Sequence, residues 1–118
     1  MTINLNRKLC GMHAETCKVL TNPKRIEILT LLRDGEKSVG ELAALAELTQ
    51  TNVSQLLGFL RQKRMVTSRR DGSTIYYSVS NPKIFKAMDI MREVLLEQLR
   101  EEHEIVDSLN GEKLASGH

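Results

Sequence analysis

Residues 38–79 read SVGELAALAELTQTNVSQLLGFLRQKRMVTSRRDGSTIYYSV, and no other stretch limits the fold as tightly. Ser38 followed by Glu41 has the pattern of a capping box, in which the Ser hydroxyl accepts one free helix N–H and the Glu carboxylate accepts the N–H of the cap. A short helix through about Leu45 follows. Leu48 and a capping Thr49 then start another helix, whose inward positions Val53, Leu56, Leu57 and Leu60 fall at helical spacing. Beyond it, residues 65–70 and 74–79 have strand character, and Asp71-Gly72 between them is a strong hairpin turn signal. Two short helices joined by a tight turn, then a basic hairpin, is the order of a winged helix-turn-helix.

The flanks supply further helices. Residues 8–20 place Leu9, His13, Cys17 and Leu20 at three-and-four spacing, predicting a first amphipathic helix. Asn22-Pro23 opens a second, with Asn as cap and Pro at a position where its missing N–H costs nothing. Ile26, Ile28, Leu29, Leu31 and Leu32 form its apolar face, and Asp34-Gly35 ends it. After the hairpin, Ser80 and Asn81 are cap candidates and Pro82 belongs to the first turn of a long last helix. Ile84, Met88, Met91, Leu95 and Leu99 recur along that helix as a stripe that a small core cannot cover, which predicts a two-fold homodimer through the first and last helices. The expected fold is therefore mainly α with a small β-hairpin, about five helices in all. One domain is expected over residues 1–107, and a flexible tail over residues 108–118.

Composition narrows the function. A chain that is 27% charged and 41% hydrophobic is ordinary globular material. The net charge is only +2, so placement matters more than the sum. Arg61, Lys63, Arg64, Arg69 and Arg70 lie close together, whereas Glu97, Glu101, Glu102, Glu104 and Asp107 crowd the last helix, giving one surface suited to a polyanion and one kept from it. No apolar run approaches the roughly 20 residues of a bilayer span, and the start of the chain lacks a secretion signal's apolar core, so a cytoplasmic protein without a membrane partner is expected. Aromatic residues make up 3%, which leaves no stacking platform for RNA or single strands. Neither a phosphate-binding glycine loop nor a nucleophile-base pair is present, so no enzyme is expected.

Duplex DNA is the expected partner. Gln50, Thr51, Asn52, Ser54 and Gln55 lie at the start of the second helix of the pair, where an inserted helix meets base edges, and Gln or Asn can pair bidentately with adenine. Arg61, Arg69, Arg70 and Ser73 complete the DNA-facing set. Alternation does not decide which arginine faces the duplex, and Tyr76 and Tyr77 are expected to split between wing surface and core. Two other readings stay open: a protein-interaction module whose wing meets an acidic partner, and a non-specific DNA binder.

Four pieces in order carry a family resemblance: NPKRIEIL, SVGELA, LTQTNVSQLLGFLR and SRRDGSTIYYSV. Over residues 19–91 the chain closely resembles the ArsR/SmtB family of winged-helix repressors. The resemblance implies a homodimer that sits on a promoter and leaves when a metal ion, a metalloid or a redox signal binds. The family's best-known metal sites are not matched, since Ser38 and Gly40 stand where one class carries Cys-x-Cys, and Asp89 and Met91 where another carries Asp-x-His. What remains is Cys10, His13 and Cys17 in the first helix, with His103 as a ligand that a second subunit could bring. Cys10 and Cys17 are roughly 10 Å apart along a regular helix, too far for one tetrahedral ion unless the helix unwinds or the site is shared. Metal or metalloid binding, thiol oxidation and two ordinary cysteines therefore all stay open, and no cofactor is certain.

Overall fold

A computed structural model describes residues 2–117, with side chains described over residues 4–110. The chain divides into two compact units, residues 1–82 and 83–118, and the single domain expected over residues 1–107 spans both. The first unit holds α1 (Thr2–Val19), α2 (Pro23–Leu31), β1 (Lys37–Ser38), α3 (Val39–Ala46), α4 (Gln50–Gln62), β2 (Val66–Asp71) and β3 (Thr74–Val79). A single 3-10 turn, Leu32–Asp34, follows α2. The second unit is one helix, α5 (Lys83–Gly117).

Local chemistry accounts for the helix starts. Asn22 Oδ1 accepts the Lys24 N–H at 2.8 Å, with Pro23 as the first helical residue. Ser38 Oγ accepts the Glu41 N–H and Glu41 Oε1 accepts the Ser38 N–H, both at 3.2 Å, which closes the capping box. Thr49 Oγ1 accepts the Asn52 N–H at 3.1 Å. Between α3 and α4 the chain turns at Glu47, whose φ of 56° is left-handed, while the Leu48 N–H donates to Ala43 O at 3.0 Å. That is the bond pattern of a Schellman end, here without the usual glycine.

Buried apolar side chains from three helices and the hairpin base meet in one core. Ile28, Leu29, Leu42, Val53, Leu57 and Leu60 are fully buried, joined by Leu32, Met65 and Val66. Two expected members sit at its margin: Ile26 is exposed and Leu56 is half-buried. Helix α1 begins at Thr2 rather than near Lys8, and the residue it buries is Val19. Leu5, Leu9 and Met12 remain 60%, 53% and 56% exposed, and of the expected stripe Leu9, His13 and Cys17 are exposed while Leu20 is half-buried.

The sheet has the order β1-β3-β2 and is antiparallel throughout. Strand β1 pairs Lys37 with Tyr77 and Ser38 with Tyr76. A two-residue strand has no periodicity of its own and exists only through its partner, so no local pattern predicts it. The hairpin closes on Asp71 opposite Thr74, so its loop is Gly72-Ser73 and not Asp71-Gly72. Gly72 takes φ 63° while Ser73 does not enter the positive region, as a type II′ loop requires. Arg64, at φ 60°, turns the chain out of α4, and Ser80 Oγ donates to its carbonyl at 2.7 Å, tying the base of the hairpin to the helix end.

Along α5, Met91, Leu95 and Leu99 are 59%, 51% and 58% exposed, whereas Ile84 and Met88 are half-buried. Ile90, Val94 and Leu96 are exposed too, which makes the apolar surface broader than one stripe. The helical path runs past Asp107, where a tail was expected to begin, to Gly117. No helix among the described residues is long and apolar enough to cross a membrane.

Candidate nucleic-acid interface

With Val53, Leu57 and Leu60 pointing inward, helical rotation fixes the rest of α4. Thr51 and Gln55 lie opposite the buried line, Asn52 and Phe59 on one flank, Ser54 and Arg61 on the other. Gln50, Thr51, Asn52, Ser54 and Gln55 are all exposed. Among the described residues their side chains have no hydrogen-bond partner, leaving donors and acceptors free for an outside surface. Gln50 leans toward the start of α3, where a Cβ added at Gly40 would stand 3.7 Å from its Nε2.

The hairpin register decides what alternation alone left open. Cross-strand partners share a face, so Val66, Ser68 and Arg70 lie with Val79, Tyr77 and Ile75, and Thr67, Arg69 and Asp71 lie with Ser78, Tyr76 and Thr74. Tyr77 is therefore on the face of buried Val66 and Tyr76 on the opposite one, both half-buried. Arg69 is already engaged. Its Nε donates to Glu36 Oε2 at 3.1 Å, its Nη2 donates to Glu36 Oε1, and its guanidinium stands 5.0 Å from the centre of the Tyr76 ring. Such a two-pronged grip anchors the wing to the segment before β1. Arg61, Arg70 and Ser73 are exposed, and the two arginines make no ion pair with a described residue.

The Arg69 side chain, by hydrogen bonding first, holds the Glu36 carboxyl below its ordinary value of 4.5, and Glu36 in turn raises Arg69. A depressed carboxyl contributes above its unfolded pKa and loses that contribution as pH falls through the folded one. The wing anchor should thus be intact at neutral pH and released in acid. Followed by NMR, the Arg69 Nε–H resonance should titrate with a midpoint below 4.5 and lose that step in Glu36→Gln. A midpoint at or above that value would mean the grip is absent in solution.

Two cationic residues beside α4 escaped the sequence reading. A groove against its Asn52 and Phe59 flank is lined by Lys24 and Arg25 from the start of α2, together with Asn22, Gln55 and Leu56. Their closeness to α4 depends on the α2–α4 crossing, for which no local pattern speaks.

The candidate sensor residues do not gather. Cys10 and Cys17 are free and exposed on the unbroken α1, and no three His, Cys, Asp or Glu side chains come together for a metal among the described residues. The separation keeps the two thiols beyond the roughly 7 Å Cα limit for a disulfide within one regular helix.

A family model for the bacterial regulatory proteins of the arsR family matches residues 22–68. The chain is 38% identical over 102 residues to the uncharacterized HTH-type transcriptional regulator Rv0081 of Mycobacterium tuberculosis, covering 86% of this chain and 90% of that one. The crystal structure of Rv0081 superposes with a TM-score of 0.73 at 40% identity, covering 80% of this chain and 95% of that one. The homodimeric winged helix-turn-helix DNA-binding domain of Mb0332 from Mycobacterium bovis gives a TM-score of 0.72 at 29% identity, over 80% and 87% of the two chains. For the transcriptional repressor BigR of Xylella fastidiosa the TM-score is 0.69 at 31% identity, over 80% and 96%.

Proposed function

The chain belongs to the ArsR family of transcriptional regulators, and from that premise we propose that it is a homodimeric repressor that reads a specific duplex sequence and releases it on a thiol-directed signal. The observation that carries the reading role is the exposed, unpaired polar start of α4. Gln55 and Asn52 can each offer an amide to adenine, while Thr51 and Ser54 suit bases or phosphates. Arg61, Arg70 and Ser73 serve the backbone, where neutralised phosphates release counterions. Arg69 holds the wing in place for them. Selection from a randomised duplex pool, followed by footprinting, tests the proposal. Enrichment of a two-fold sequence supports it, and a pool that enriches nothing would leave a non-specific binder.

Dimerisation follows from apolar surface. Leu5, Leu9 and Met12 on α1 and Met91, Leu95 and Leu99 on α5 are more than half exposed, together with the partly covered Ile84 and Met88. A second copy would remove both stripes from water, and the homodimeric relative supports that arrangement.

For the signal we favour the thiols of Cys10 and Cys17, because both are open to solvent. A metal held by Cys10, His13, Cys17 and His103 would need α1 to unwind locally or ligands to come from a second chain. Cys10→Ser with Cys17→Ser should keep operator affinity and lose release by arsenite or peroxide. Unchanged release in that double variant would remove α1 as the sensor.

A further inference from the structure

Arg25 is half-buried near the start of α2 and joins two other helices. Its Nη1 donates to the carbonyl of Lys18, in the last turn of α1, at 2.9 Å. Its Cζ stands 3.8 Å from the centroid of the Phe59 ring on α4. A guanidinium is flat, so it can give its edge to a carbonyl while its face stacks on a ring, a flat-on geometry that a tetrahedral ammonium does not reproduce. A parallel link lies close by, where Lys63, the residue that ends α4, donates to Glu15 of α1 at 3.3 Å. Both links run between the last turns of α1 and the same helix that carries the exposed polar start.

The buried residues of α4 do not make these links redundant. Val53, Leu57 and Leu60 hold its inner face by apolar burial, which is non-directional and tolerates small rotations and slides. Base edges accept no such latitude, since a bidentate amide pair depends on direction as well as distance. Phe59 lies on the same flank as Asn52, and the groove there is shared by Arg25, Asn52 and Gln55. A stop at Phe59 therefore sets the angle at which those two amides leave the protein.

We propose that Arg25 is the positioning residue of the recognition helix, fixing α4 against the end of α1 without itself touching DNA. The proposal rests on the DNA-reading role given above. It also makes the last turn of α1, next to Cys17, mechanically continuous with the reading surface.

The test uses a duplex enriched by the wild-type protein and a scrambled duplex of equal length, across a salt series, at a temperature where every variant is fully folded. Arg25→Ala should lower the preference for the enriched duplex by about tenfold, comparable with losing one good base contact. Arg25→Lys, which keeps the charge, should lose nearly as much. In both, the slope of affinity against salt should match wild type, because no phosphate contact is removed. Phe59→Leu should cost little more once Arg25→Ala is in place, as expected of residues acting together.

A salt slope reduced by about one, with equal losses on both duplexes, would make Arg25 a phosphate contact and overturn the proposal. Full preference in Arg25→Ala would overturn it as well, and so would full rescue by Arg25→Lys. Absence of any preference in the wild type would instead bring down the sequence-reading role and this proposal together.

Discussion

Leu57→Ala is expected to lower the free energy of unfolding by about 2–5 kcal/mol, the range for deleting most of a buried leucine. Leu57 is fully buried on the inner line of α4, between Val53 and Leu60, and the core it enters also takes Ile28 and Leu29 from α2 and Leu42 from α3. Removing the side chain forfeits its transfer out of water and leaves a cavity that helices pinned at their capped ends cannot fully close. A domain of this size has roughly 5–15 kcal/mol in total, so one substitution can consume a large share of it. Leu45→Ala serves as the control, since Leu45 lies on α3 but is 55% exposed and should change stability by no more than about 0.5 kcal/mol. Urea unfolding at one fixed protein concentration is the measurement, because a dimer's apparent stability depends on concentration. Equal losses at the two leucines would mean that α4 is not seated on this core.

Sequence legibility followed the range of the interaction. The caps at Asn22, Ser38 and Thr49 are made with residues two or three positions away, and each was readable from its own few letters. So was the inner line of α4, because burial imposes the helical period on leucine and valine. What could not be read depends on partners far along the chain. Arg69 meets Glu36 across 33 positions, and nothing near either residue announces the other. Arg25 meets Phe59 through the packing of two helices, although the motif containing Arg25 was recognised. Strand β1 is borrowed from β3 in the same sense. The start of the first helix carries no proline or cap signal, and its early apolar residues Leu5 and Leu9 are exposed, so neither local chemistry nor a buried line marks it. As a result the exposed polar start of α4 was legible as a set, but the division between side chains left free and those engaged within the protein, such as Arg69 and Arg25, needed the fold.

That division gives a second large effect, and it separates sequence reading from backbone attraction. Asn52→Ala and Gln55→Ala should each weaken the enriched duplex by about 1–3 kcal/mol relative to a scrambled one, since each deletes an amide able to pair bidentately with a base. Neither side chain is bonded to a described residue, so the losses cannot arise from a broken internal bond, and unfolding midpoints should stay near wild type. The salt slope should also stay, because amides displace no counterions. Arg70→Ala, at the wing tip, should behave oppositely, with comparable losses on both duplexes and a slope shallower by about one. Asn52 and Gln55 lie three positions apart on neighbouring lines of α4, close enough to contact adjacent base pairs, so their double variant need not show the sum. If Asn52→Ala and Gln55→Ala weakened both duplexes alike while Arg70→Ala discriminated, reading would belong to the wing and α4 would be its support. The buried anchoring of α4 argues for the first outcome, because fixed base contacts require a fixed helix, and Arg70 stands on the exposed two-stranded part of the hairpin, beyond the Arg69–Glu36 grip and the pairing with β1.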